Sequence, residues 1–173
     1  MRRGFTLVEL VVVIVIIGTL SAVALPKLAA SITVRAIDSA ARLVRSEMVD
    51  ARNTAMMTSQ PMLVEFDETG DTFRISSLDD GEVRSSTDLA GEPWGVDILL
   101  ARFRASGLVA GGEPFFVYDI WGRPRDAAKS DFGDTGEATG TLQGGLVALA
   151  RGERRIRIFL DPVTGEVRLE DLR

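Results

Sequence analysis

The chain contains no cysteine and no histidine. The first absence excludes a disulfide frame, thiol chemistry and any thiolate metal site. The second removes the commonest general base and metal ligand. A Ser-His or Cys-His catalytic machine is therefore excluded, whereas carboxylate or Lys chemistry is not. Cations are also missing from one long stretch, since Leu10 to Leu25 holds no Lys, Arg or His. Across the whole chain 25 acidic residues outnumber 20 basic ones. The resulting net charge of −5 argues against non-specific nucleic-acid binding by the whole surface, while leaving room for a local basic patch. A length of 173 residues suits one membrane-anchored domain better than two globular ones.

What the N-terminus does hold is an apolar run with a carboxylate near its start. Met1-Arg2-Arg3-Gly4 is followed by Phe5-Thr6-Leu7-Val8-Glu9-Leu10, then by Val11 to Ile17 without a polar residue. As a helix, Phe5 to Leu25 would span about 31 Å at 1.5 Å per residue, close to the roughly 30 Å hydrocarbon core. An ionised side chain in hydrocarbon costs about 3 kcal/mol on insertion scales, so Glu9 marks a functional site. Its counter-charge must come from the chain's own N-terminus or from another molecule. Arg2 and Arg3 on one side and an acid-rich chain on the other place the N-terminus in the cytoplasm and the rest across the membrane.

Two plainer readings compete. The first is a secretory signal peptide, with Arg2 and Arg3 as its basic start and Ala22-Val23-Ala24 as its cleavage pattern. Against it, Glu9 disrupts the apolar core for no benefit, and the helical pattern continues through the supposed cut. The second is a simple signal anchor, which also leaves Glu9 unexplained. Gly18 and Pro26 bracket a weakened stretch of helix. Gly costs about 1 kcal/mol relative to Ala. Pro26 lacks the amide that would bond to the carbonyl of Ala22.

Gly4-Phe5-Thr6-Leu7-Val8-Glu9-Leu10 resembles the cleavage and methylation signal of type IV pilins and type II secretion pseudopilins. The resemblance implies a peptidase cut between Gly4 and Phe5, with methylation of the new N-terminal Phe5. It implies that Glu9 is the assembly carboxylate, paired with the N-terminal amine of a neighbouring subunit. It also implies that Gly18 and Pro26 mark a segment able to unwind when the helix packs in a filament. The domain plan that follows is a cleaved leader over 1–4, a transmembrane half-helix over 5–25, an amphipathic half-helix over 26–57 and a β-rich periplasmic head over 58–173.

Beyond Pro26 the helix turns amphipathic. Ile37, Ala41, Val44, Met48, Ala51 and Ala55 recur at steps of four and three. Arg35, Asp38, Arg42, Arg45 and Arg52 fall on another face, which reads as solvated. The Ala-rich stripe is the expected seat of a β-sheet in the same subunit. Gln60-Pro61 ends the helix. Met62 to Phe66 and Thr72 to Ser76 then read as a hairpin around the turn Asp67 to Asp71. Asp79-Asp80-Gly81 is a further turn. Val96 to Phe103, Phe115 to Trp121, Gly145 to Ala150, Arg154 to Leu160 and Glu166 to Leu169 are strand candidates. The polar stretch Asp126 to Gly140 reads as a loop.

This layout, an α+β, pilin-like long helix packed on an antiparallel β-rich head, is similar to the H-type minor pseudopilins and their FimT-like relatives. Ala41-Arg42-Leu43-Val44 with Gln60-Pro61, the run Phe116 to Pro124, and the Thr-Gly hairpin within Asp161 to Val167 carry that likeness. Asp119-Ile120-Trp121-Gly122 is also similar to the Asp-Pro-Trp-Gly stretch of major pseudopilins, whose acidic loop holds calcium. Ile120 replaces the Pro, and Asp131 and Asp134 lack an EF-hand-like spacing. No cofactor or metal is therefore expected.

The resemblance implies a structural subunit of a type II secretion pseudopilus, single-pass in the inner membrane. Its implied partners are other pseudopilins or pilins, the prepilin peptidase and the secretion-system assembly platform, with no small-molecule substrate. The alternative is a FimT-like minor pilin for pilus assembly or DNA uptake, reading Arg151, Arg154, Arg155, Arg157 and Arg168 as a basic cluster. Solvated strand faces explain the same arginines, so nucleic acid is not favoured. No nucleophile–base pair or metal cluster supports an anchored enzyme.

Overall fold

A computed structural model describes residues 7–105, 114–126 and 140–172, with side chains described except at 23–31 and 105. The chain divides into two compact units, Met1–Arg35 and Ala36–Arg173. Helix α1 runs over Leu7–Thr58 without a break at Gly18 or Pro26. Its last turn gives way at Ser59, which takes a left-handed φ of 55° ahead of Gln60-Pro61. Among the described residues, no helix is long and apolar enough to cross a membrane. The predicted span over 5–25 extends past the described side chains at both ends.

In the second unit the expected stripe forms. Ile37, Ala41, Val44, Met48, Ala51 and Ala55 are all buried in one core with the strands. Nine strands pair with one another among the described residues: β1 Met62–Asp67, β2 Thr72–Ser77, β3 Val83–Asp88, β4 Asp97–Ala105, β5 Phe115–Tyr118, β6 Pro124–Asp126, β7 Gly140–Arg151, β8 Arg154–Leu160 and β9 Val167–Leu172. All neighbours run antiparallel, in the order β3-β2-β1-β5-β6-β7-β8-β9, and β4 pairs with β7. Strand β7 joins two layers. Its first residues pair with β6 (Asp126↔Gly140), and its longer remainder lies between β4 (Phe103↔Gly145) and β8 (Gly145↔Leu160).

Alternation explains which side faces the core. In β8, Ile156, Ile158 and Leu160 are buried, while Arg155 and Arg157 point outward. Phe66, Phe73, Phe103, Phe116 and Tyr118 form the aromatic centre. Phe103 and Phe116 have ring centroids 4.5 Å apart, and Phe116 meets Tyr118 edge-on at 4.9 Å.

Several boundaries differ from the sequence reading. Strand β3 (Val-Arg-Ser-Ser-Thr-Asp) was not expected, because it is polar and largely exposed, with no apolar alternation to reveal it. The expected strand Phe115 to Trp121 stops at Tyr118. There the Asp119 side chain takes over, with its Oδ1 accepting the N–H of Trp121 at 2.9 Å and of Arg123 at 2.8 Å. The predicted loop Asp126 to Gly140 loses both its ends to β6 and β7, and its interior lies outside the described residues.

Candidate assembly surface

The first half of α1 carries the exposed apolar surface. Every residue from Leu7 to Ala22 is exposed, on all sides of the helix. Leu7 is 80% exposed, Ile14 60% and Leu20 66%. A helix that is apolar all round calls for apolar surroundings, either lipid or other helices. Glu9 lies in the first turn of this helix and is itself exposed. Gly18 sits on the same surface, and a methyl group added to it would meet nothing within 4 Å. Pro26 lies within α1, with its side chain outside the described set. Gly4 and Phe5 lie outside the described residues.

The head is tied to α1 by two arginines that the sequence placed on a solvated face. Arg45 Nε donates to the carbonyl of Val167 at 3.1 Å, and Arg52 Nε to the carbonyl of Gly122 at 3.0 Å. Their spacing of seven residues puts both on one flank of the buried stripe, two turns apart, but does not name the acceptors. Gly122 (φ +71°) and Gly165 (φ +70°) make the close approach possible. A Cβ on Gly122 would lie 2.8 Å from Met56 Sδ, and one on Gly165 would lie 2.8 Å from the Gly122 carbonyl oxygen. Both turns are closed by an Asp. Asp161 Oδ1 accepts N–H groups from Val163 and Thr164, which holds its carboxyl below the usual range. Beside this junction Tyr118 is fully buried, and desolvation pushes its phenol well above the ordinary value.

The basic cluster is largely spent inside the head. Arg151 donates to the Trp94 carbonyl, Arg154 pairs with Asp171, and Arg168 pairs with Glu166. Arg155 and Arg157 point outward on β8, but Arg157 sits directly opposite Glu170 on β9. The described arginines therefore do not form a continuous phosphate-binding track. Among the described residues no group of three or more His, Cys, Asp or Glu side chains is placed to hold a metal ion. Asp131 and Asp134 lie outside the described residues.

Comparison with known proteins gives two findings that fit this geometry. A family profile described as the prokaryotic N-terminal methylation motif matches residues 1–25. The fold is similar to that of the minor pseudopilin EpsH from the type 2 secretion system of Vibrio cholerae, with a TM-score of 0.50 at 13% identity, over 78% of this chain and 95% of that one. No curated protein matches the chain at a significant level. The α+β pilin-like architecture expected from the sequence is thus the observed one.

Proposed function

We propose that this protein is a minor pseudopilin, a structural subunit of a type II secretion pseudopilus that helps drive folded proteins across the outer membrane. The single observation that carries the reading is the pairing of a methylation motif over residues 1–25 with an EpsH-like head. In this reading the chain is cut between Gly4 and Phe5 and methylated on Phe5. It is anchored once in the inner membrane with its head in the periplasm, and it joins the filament through the apolar half of α1. Glu9 then selects the register. A carboxylate in a low-dielectric bundle is favoured where an opposite charge faces it, so a position that brings a neighbour's N-terminal amine to Glu9 is favoured. Gly18 and Pro26 are the positions at which the helix would yield during packing. The partners are other pseudopilins, the prepilin peptidase and the assembly platform.

Deleting the protein in its native cell tests the secretion role. The expected outcome is that exported enzymes accumulate in the periplasm and fall in the medium, with recovery on complementation. Unchanged secretion together with a drop in transformation frequency would instead favour the FimT-like alternative of pilus assembly or DNA uptake.

A further inference from the structure

Strand β4 lies off the main strand path and pairs, among the described residues, with β7 alone. A strand with one free edge offers unpaired N–H and C=O groups to any other strand. On β4 that edge is occupied in an unusual way. The N–H of Ile98 goes to Asp71 Oδ1 at 2.7 Å, and the N–H of Ala101 goes to Glu68 Oε1 at 2.7 Å. Both carboxylates come from the turn between β1 and β2. The Arg102 guanidinium grips Glu68 through both of its terminal nitrogens. Asp71 is fixed in turn, because its carbonyl accepts the N–H of Leu89 at 2.9 Å. Between the two capped amides the ladder shifts register, and the bulged Leu99 is left 48% exposed.

We propose that the β1–β2 turn is a latch, in which Glu68 and Asp71 hold the β4 edge shut against strand pairing with a second copy of this chain. Hydrogen bonds from N–H groups to carboxylates are stronger than neutral ladder bonds, so the caps outcompete an incoming strand. A second copy is the occupant because identical edges meet antiparallel about a two-fold axis, so each copy brings a matching partner. The two exposed Leu99 side chains would then be brought to one seam. The latch confines the subunit's contacts to other surfaces. It does not depend on how α1 assembles.

The test uses the full-length chain in detergent micelles. Since the chain has no cysteine, Leu99→Cys supplies a single thiol at the latched edge, and Val83→Cys supplies one on the outermost strand β3. With Glu68 and Asp71 intact, oxidation of the Leu99→Cys chain yields little crosslinked dimer. Adding Glu68→Ala and Asp71→Ala raises that crosslink about tenfold or more, since two capping hydrogen bonds are lost and one alone can be worth about tenfold. Glu68→Gln with Asp71→Asn, which keep a carbonyl acceptor but lose the charge, should fall between the parent and the Ala pair. Equal crosslinking with and without the carboxylates, or an equal rise at Val83→Cys, overturns the latch. Amide exchange in the single variants gives a reading that needs no dimer. Ile98 should exchange about tenfold faster in Asp71→Ala, and Ala101 in Glu68→Ala, each leaving the other slow. Fast exchange at both amides in the parent chain also overturns it.

Discussion

On the proposed pairing, replacing Glu9 with Ala should leave membrane insertion intact and lower incorporation into filaments by about a hundredfold or more. Insertion survives because the substitution only makes an already apolar helix more apolar. Incorporation should fall because, on that pairing, the neighbour's amine is left without a partner inside a helix bundle. Breaking a buried pair by removing one member costs about 3–5 kcal/mol, and about 1.4 kcal/mol is tenfold in an equilibrium. Glu9→Gln should be nearly as defective, since it keeps the shape but not the charge. The measurement is the ratio of sheared-filament to membrane-bound protein, compared between variants expressed at equal level. Incorporation of Glu9→Ala at the parent level removes the pairing mechanism for this subunit.

Phe103→Ala unfolds the head more readily than any surface change, with an expected cost of about 3–5 kcal/mol. Phe103 is 1% exposed, stacks on Phe66 at 5.7 Å and meets Phe116 at a tilt. It also explains a glycine in the middle of a strand. A Cβ on Gly145 would lie 2.5 Å from Phe103 Cδ1 and 3.0 Å from Leu160 Cβ. Gly145→Ala is therefore overpacked and should cost about 1–3 kcal/mol. The two effects are coupled, because the ring that Gly145→Ala strikes is the one Phe103→Ala removes. In the double variant the Gly145→Ala cost should shrink, leaving only the contact with Leu160 Cβ. Chemical denaturation of all four proteins closes the cycle. Strict additivity would contradict the close approach.

The elements readable from the sequence were those in which one physical signal dominated. The buried stripe Ile37 to Ala55 was legible because its period is that of a helix with a single core-facing side. Arg154 to Leu160 was legible because Ile156 and Ile158 alternate with the exposed Arg155 and Arg157. Strand β3 was hidden because five of its six residues are polar and none is buried, so among the described residues its place is set by pairing with β2. The expected strand began at Gly145, and the earlier part of β7 was hidden because Gly140 and Gly144 carry no side chain to show an alternation. Of the assembly surface, Glu9 and the apolar helix were visible in the first ten residues. The arginine contacts of Arg45 and Arg52 were not, since their acceptors are backbone carbonyls distant in sequence. The latch was hidden for the same reason, because its donors are backbone amides that no residue type announces.

The most direct test of the assembly reading is the mass of the N-terminal peptide of the protein taken from its native membrane. A peptide beginning at N-methylated Phe5 is the expected result. It would show that the chain is processed at Gly4 as a pilin-like subunit. A mature chain beginning at Leu25 would contradict the account, because a segment discarded as a signal peptide carries Glu9 away with it.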